Sequence, residues 1–224
     1  MGRPIEFERP DGTAAPGYFS EATTAGAPGV VLFEEWWGLT SHIKETADRL
    51  AAEGFSVLVP DLYRGEVADT REQAGHLMQG LDFDDAVAQD SRGAAAYLRK
   101  HGAKHVGVTG FCMGGALAML AAMREPADFD SAVIFYGYPP PEAGDPATIA
   151  MPLMGHWASQ DEFFNIAGVD ALEAKLKARG APHEFHRYEA KHAFLNPGGL
   201  GNYHPEHAET AWKRSVDFLK RTLA

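Results

Sequence analysis

Short apolar runs alternate along most of this chain with longer amphipathic stretches, and that alternation leaves few folds open. Gly29–Phe33 is followed by Ser41–Glu53, Ser56–Val59 by a loop and two helical segments, and His105–Thr109 by Met113–Arg124. The series continues through Ala132–Tyr136, Pro152–His156, a helix near Val169–Ala178, the run Glu184–Tyr188 and a last helix over Glu206–Thr222. Apolar runs without polar alternation read as strands buried on both faces, which require helices on both sides. The expected fold class is therefore α/β, a mostly parallel sheet flanked by helices on both faces. Ile5–Glu8 and Gly17–Ser20, separated by a Pro10-Asp11-Gly12 turn, predict short antiparallel strands ahead of it. The proline-rich stretch Tyr138–Asp145 lies inside the alternation and does not divide two compositions. It reads as a rigid connection within a single domain spanning residues 1–224, without a large lid.

Charge narrows the partners. The chain carries 31 acidic against 20 basic residues, a formal net charge of -11. Nucleic acid and anionic membranes are bound by clustered Lys and Arg, so neither is expected here. A small molecule is the expected partner, bound by a monomer or a small homo-oligomer. The single cysteine excludes an internal disulfide framework. The polar start MGRPIEFERP lacks the apolar core of a signal peptide, and no run approaches the roughly 18 apolar residues of a membrane span. The expectation is a cytoplasmic protein.

The strongest local signal is Gly110-Phe111-Cys112-Met113-Gly114-Gly115, placed directly between a predicted strand and a predicted helix. This is the Gly-x-nucleophile-x-Gly turn, with cysteine where serine is commoner. The turn is so sharp that residues two before and two after the nucleophile must lack side chains. The helix start aims free N–H groups at the sulfur, favouring thiolate, and offers the Met113 N–H to a developing oxyanion. Outside such a setting, a lone cysteine is usually a small buried hydrophobe.

Chain order selects the partners of Cys112. An acid and then a histidine should follow, each on a loop after a strand. The strand Pro152–His156 leads to Asp161, with Glu162 as its rival, and the strand Glu184–Tyr188 leads to His192. Both fall at the carboxyl edge of the sheet, where Cys112 also stands. The other histidines are expected to be ordinary surface or capping residues. His204 and His207 are three apart, but no third ligand is suggested, so no metal site is expected.

With those residues placed, the chain resembles the dienelactone hydrolase (carboxymethylenebutenolidase) family, within the α/β-hydrolase superfamily, from about Pro28 to its end. The resemblance is carried by Glu34-Glu35-Trp36-Trp37-Gly38-Leu39, Pro60-Asp61-Leu62-Tyr63, the cysteine turn, Asp161 and His192-Ala193-Phe194. It implies that Glu35 contacts the resting sulfur and gates it, and that the Trp36 N–H joins that of Met113 in the oxyanion hole. It also implies that Trp37 and Phe111 border the substrate, although adjacent tryptophans can equally be plain core. Of the two arginines that hold a substrate carboxylate in the family, Arg71 matches the first. Asn196 occupies the place of the second, and Gly75 that of a frequent tyrosine. A neutral amide in place of a bidentate guanidinium implies altered substrate preference.

The combined expectation is a hydrolase of small esters or lactones, carboxylate-bearing ones included. It would work through a Cys112–His192–Asp161 triad and a thioester, with no cofactor. Two rival readings are a single-cysteine redox sensor, which would lack a resolving thiol, and a non-catalytic binding module on the same scaffold.

Overall fold

A computed structural model describes residues 1–198 and 200–224. Its strands are β1 (Arg3–Glu8), β2 (Ala14–Ser20), β3 (Gly29–Phe33), β4 (Ser56–Pro60), β5 (Val106–Phe111), β6 (Ser131–Phe135), β7 (Leu153–Ala158) and β8 (His183–Tyr188). They form one eight-stranded sheet in the order β1-β2-β4-β3-β5-β6-β7-β8. β1, β2 and β4 pair antiparallel, and the remaining neighbours run parallel. The helices are α1 (Ser41–Ala52), α2 (Arg71–Gly80), α3 (Phe83–Asp85), α4 (Arg92–Lys100), α5 (Met113–Arg124), α6 (Ile166–Arg179) and α7 (Pro205–Thr222).

β3 to β7 are buried residue by residue, which is why their sequences lack alternation. Their side chains divide between two cores. Ile43 and Leu50 of α1 and Trp212, Val216 and Leu219 of α7 pack with Val30, Leu32, Val57 and Val133 on one face. Leu98 of α4, Leu117 and Met119 of α5 and Leu172 and Leu176 of α6 pack with Val31, Val108, Ile134 and Leu153 on the other. α5 is apolar all round because it is buried along its whole length.

The differences from the sequence reading lie at element ends. β5 and β7 each run two residues further than the apolar pattern suggested, to Phe111 and Ala158. Tyr136 leaves β6 with a positive φ of 37°. The second helical segment after β4 is wider than it looks in sequence, because the π-helical turn Ala86–Ser91 joins α3 to α4.

Candidate active site

Cys112 stands between β5 and α5 at φ 56° and ψ -117°, a conformation that non-glycine residues rarely adopt. Its N–H donates to the Phe135 carbonyl at 3.0 Å, tying the bend to β6. The flanking glycines are required by contact. A Cβ on Gly110 would lie 2.1 Å from the Gly114 carbonyl oxygen, and one on Gly114 only 2.4 Å from that of Glu34. Gly137 presses on the same bend from β6, where an added Cβ would meet the Cys112 oxygen at 1.9 Å. That neighbour is backbone and cannot turn aside. Gly137→Ala is therefore expected to cost at least the ~1–3 kcal/mol of ordinary overpacking, read as a lower urea midpoint at unchanged slope.

Asp161 and His192 meet at the same sheet edge. His192 Nδ1 lies 2.8 Å from Asp161 Oδ2, and both side chains are almost fully enclosed. The other carboxylate oxygen, Oδ1, accepts the N–H groups of Phe163 and Phe164 at 2.8 and 2.9 Å. With both oxygens engaged, the carboxylate has little freedom to rotate. The imidazole is flanked by the rings of Phe163, Phe164 and Tyr136, and Asn202 donates to the His192 carbonyl at 3.0 Å. Glu162 is exposed, and Asp161 takes the place beside the ring.

Burial, then the Glu35 charge, push the Cys112 thiol well above its ordinary range, and the Met113 N–H bonded to the sulfur offsets only part of this. Desolvation therefore outweighs the helix terminus that favours a thiolate, and the balance leans toward the thiol. Glu35 is itself buried, and burial raises its carboxyl to about 7, opposed by the Asn196 amide and by His192. Asn196 is accordingly turned inward. Its Nδ2 donates to Glu35 Oε2, while its Oδ1 accepts the Gly198 N–H. The residue in the place of the family's second arginine thus binds the Glu35 carboxylate.

Arg71, His192, Phe163, Lys191 and Asn202 line a small cavity of about 180 Å³. Trp36 and Trp37 are half-buried and pack edge to face at 5.1 Å. Phe111 stacks on Phe135 and lines a second cavity with Leu195, Tyr203 and Trp212. Three site residues carried no sequence signal. Phe163 reads as a loop residue, and Tyr63 as part of a motif without a role. Tyr136 is fully buried, and burial followed by the charges of Glu35, Cys112 and Asp161 pushes its phenol well above the ordinary range.

Among the described residues no group of three His, Cys, Asp or Glu side chains could hold a metal ion. His204 instead caps α7, where its ring accepts the His207 N–H and stacks on the His207 ring. No helix among them is long and apolar enough to cross a membrane.

A cysteine on a strained strand-to-helix bend, with an acid–histidine pair on later loops at the same edge of a mostly parallel sheet, defines an α/β-hydrolase. The family model described as "Dienelactone hydrolase family" matches residues 15–223. The chain belongs to that family, and it is a carboxylic ester hydrolase of the dienelactone hydrolase type. It is 38% identical to "Protein usf" of Aquifex pyrophilus over the whole of both chains. It is 37% identical, again over both whole chains, to an Aquifex aeolicus protein provisionally named a carboxymethylenebutenolidase. Among solved structures, a dienelactone hydrolase-like promiscuous phosphotriesterase from metagenomic libraries superposes with a TM-score of 0.86. That structure is 24% identical, with 100% of this chain and 99% of that one covered, and shares the fold.

Proposed function

We propose that the chain hydrolyses small esters and lactones through a Cys112–His192–Asp161 triad and a thioester intermediate. His192 takes the thiol proton, and the sulfur attacks the carbonyl carbon. A C–S bond forms as the carbonyl electrons move onto oxygen, where the N–H groups of Trp36 and Met113 receive them. Collapse breaks the bond to the leaving oxygen, which takes the proton back from His192. Water then attacks the thioester, gives a proton to His192, and expels the thiolate. Asp161 orients the ring and offsets its transient charge.

The observation that carries this reading is the shared edge: the positive-φ cysteine and the 2.8 Å His192–Asp161 pair come from separate loops after β5, β7 and β8. Arg71 and Lys191 line the cavity beside His192 and outnumber the single carboxylate there, Glu162, which supports a substrate that carries a carboxylate. Glu35 acts as the gate. While ionised it opposes the thiolate, so a substrate that displaces or neutralises it frees the sulfur.

The test is to mix the protein with p-nitrophenyl acetate, quench in acid and map the peptides by mass. Acetyl should be found on Cys112, and His192→Ala should leave it there longer. A fast ester turnover with no acyl group on Cys112 at any quench time would rule the thioester out.

A further inference from the structure

Trp36 and Met113, whose N–H groups are proposed to hold the oxyanion, are bridged by one phenol. The Tyr63 hydroxyl lies 3.2 Å from the Trp36 carbonyl oxygen and 3.4 Å from Met113 Sδ. Tyr63 follows β4 in the Asp61-Leu62-Tyr63 turn and is buried.

The rest of the 61–68 segment supports the same loop. Leu62 N–H donates to Glu34 Oε1 at 3.3 Å, and Ala68 N–H donates to the Trp37 carbonyl at 2.9 Å. Gly38 pairs with Val67 across an isolated bridge, at a φ of 89° and so close that a Cβ would lie 2.7 Å from the Glu66 oxygen. Gly38 N–H also donates to the Glu35 carbonyl at 3.1 Å. A trans peptide is planar, so holding the Glu35 carbonyl toward Gly38 turns the Trp36 N–H to the opposite side. Tyr63 fixes the next peptide plane through the Trp36 carbonyl. The donor residue is thus held at both of its peptides.

We infer that Tyr63 is a positioning residue that sets the Trp36 N–H against the Met113 N–H for oxyanion binding. A phenol has one proton, and the carbonyl is the stronger acceptor, so the Trp36 oxygen takes it and the thioether sulfur packs alongside. Burial, followed by the Glu34 charge, keeps this hydroxyl protonated at any working pH. It therefore donates throughout and adds no ionisation of its own to the rate profile. A donor displaced by a fraction of an ångström loses part of the 10²- to 10³-fold that a whole oxyanion donor contributes.

This inference rests on the acyl-transfer reading, and the test separates the two. Tyr63→Phe keeps the ring and removes the hydroxyl, whereas Tyr63→Leu removes both. For p-nitrophenyl acetate, Tyr63→Phe should lower kcat roughly tenfold with KM unchanged and an unshifted pH profile. Its affinity for a trifluoromethyl ketone, which adds the thiol to form an oxyanion, should fall by the same factor. Affinity for the corresponding alcohol should hold. Wild-type kcat in Tyr63→Phe with loss only in Tyr63→Leu would reduce the role to ring packing and overturn the inference. So would a kcat deficit that vanishes once the assay is run well below the variant's melting temperature. A wild-type protein that never acylates Cys112 overturns the inference and the acyl-transfer reading together.

Discussion

Cys112→Ala is expected to lose ester turnover by on the order of 10⁴-fold or more, with its folding unchanged. The two parts of that expectation have separate causes. The rate falls because no other nucleophile stands at the bend. The proposed oxyanion donors, the Trp36 and Met113 N–H groups, remain in the variant and should leave a residual rate above that of water. The fold survives because alanine keeps the Cβ, so the strain at φ 56° and the close contacts of Gly110 and Gly137 are unchanged. Only the sulfur is removed, and the stability change should stay within about 1 kcal/mol. Kinetics on p-nitrophenyl acetate and on a lactone, beside a urea titration, check both halves. Turnover within tenfold of wild type would remove Cys112 from the mechanism and place the nucleophile elsewhere.

What could be read from the chain itself was whatever depends on near neighbours in sequence. Strand and helix periods, the glycine offsets around Cys112 and the chain order of acid and histidine are local patterns. They placed Gly29–Phe33 and α5 residue for residue, and they brought Asp161 beside His192. Element ends were less legible because sheet partners decide them: β5 extends to Phe111 since β6 offers Phe135 as its register partner. Contacts across the fold were not legible at all. Asn196 and Glu35 lie 161 residues apart, and only the closed structure turns the amide onto the carboxylate instead of toward substrate. Tyr63, Tyr136 and the phenylalanines around His192 owe their places to the same long-range packing, and Phe111, adjacent to the nucleophile in sequence, stacks on Phe135 in the core that Cys112 also packs against.

The Asn196–Glu35 pair leads to the second large effect. A guanidinium in that place would hold the carboxylate ionised, but a neutral amide does so weakly, and burial raises Glu35 to about 7. Around neutral pH Glu35 therefore changes charge. Below that point it is neutral and exerts no repulsion on a thiolate; above it the charge opposes ionisation of Cys112. Glu35→Gln keeps the shape and an acceptor for Asn196 but removes the titration. Its rate of alkylation at Cys112 by iodoacetamide should match wild type near about pH 6 and exceed it roughly tenfold or more near about pH 8.

Stability carries the same signature. A carboxyl whose folded-state pKa lies above its ordinary 4.5 binds its proton more tightly when folded. Its contribution is complete below about 4.5, declines as pH rises, and is gone above about 7. The span corresponds to ~3 kcal/mol, at about 1.4 kcal/mol per unit. Wild type should therefore lose stability relative to Glu35→Gln between those limits and run parallel to it above them, as read from urea midpoints across the range. Alkylation rates and stabilities that keep a constant ratio to wild type from about pH 5 to 8 would mean that Glu35 does not titrate there.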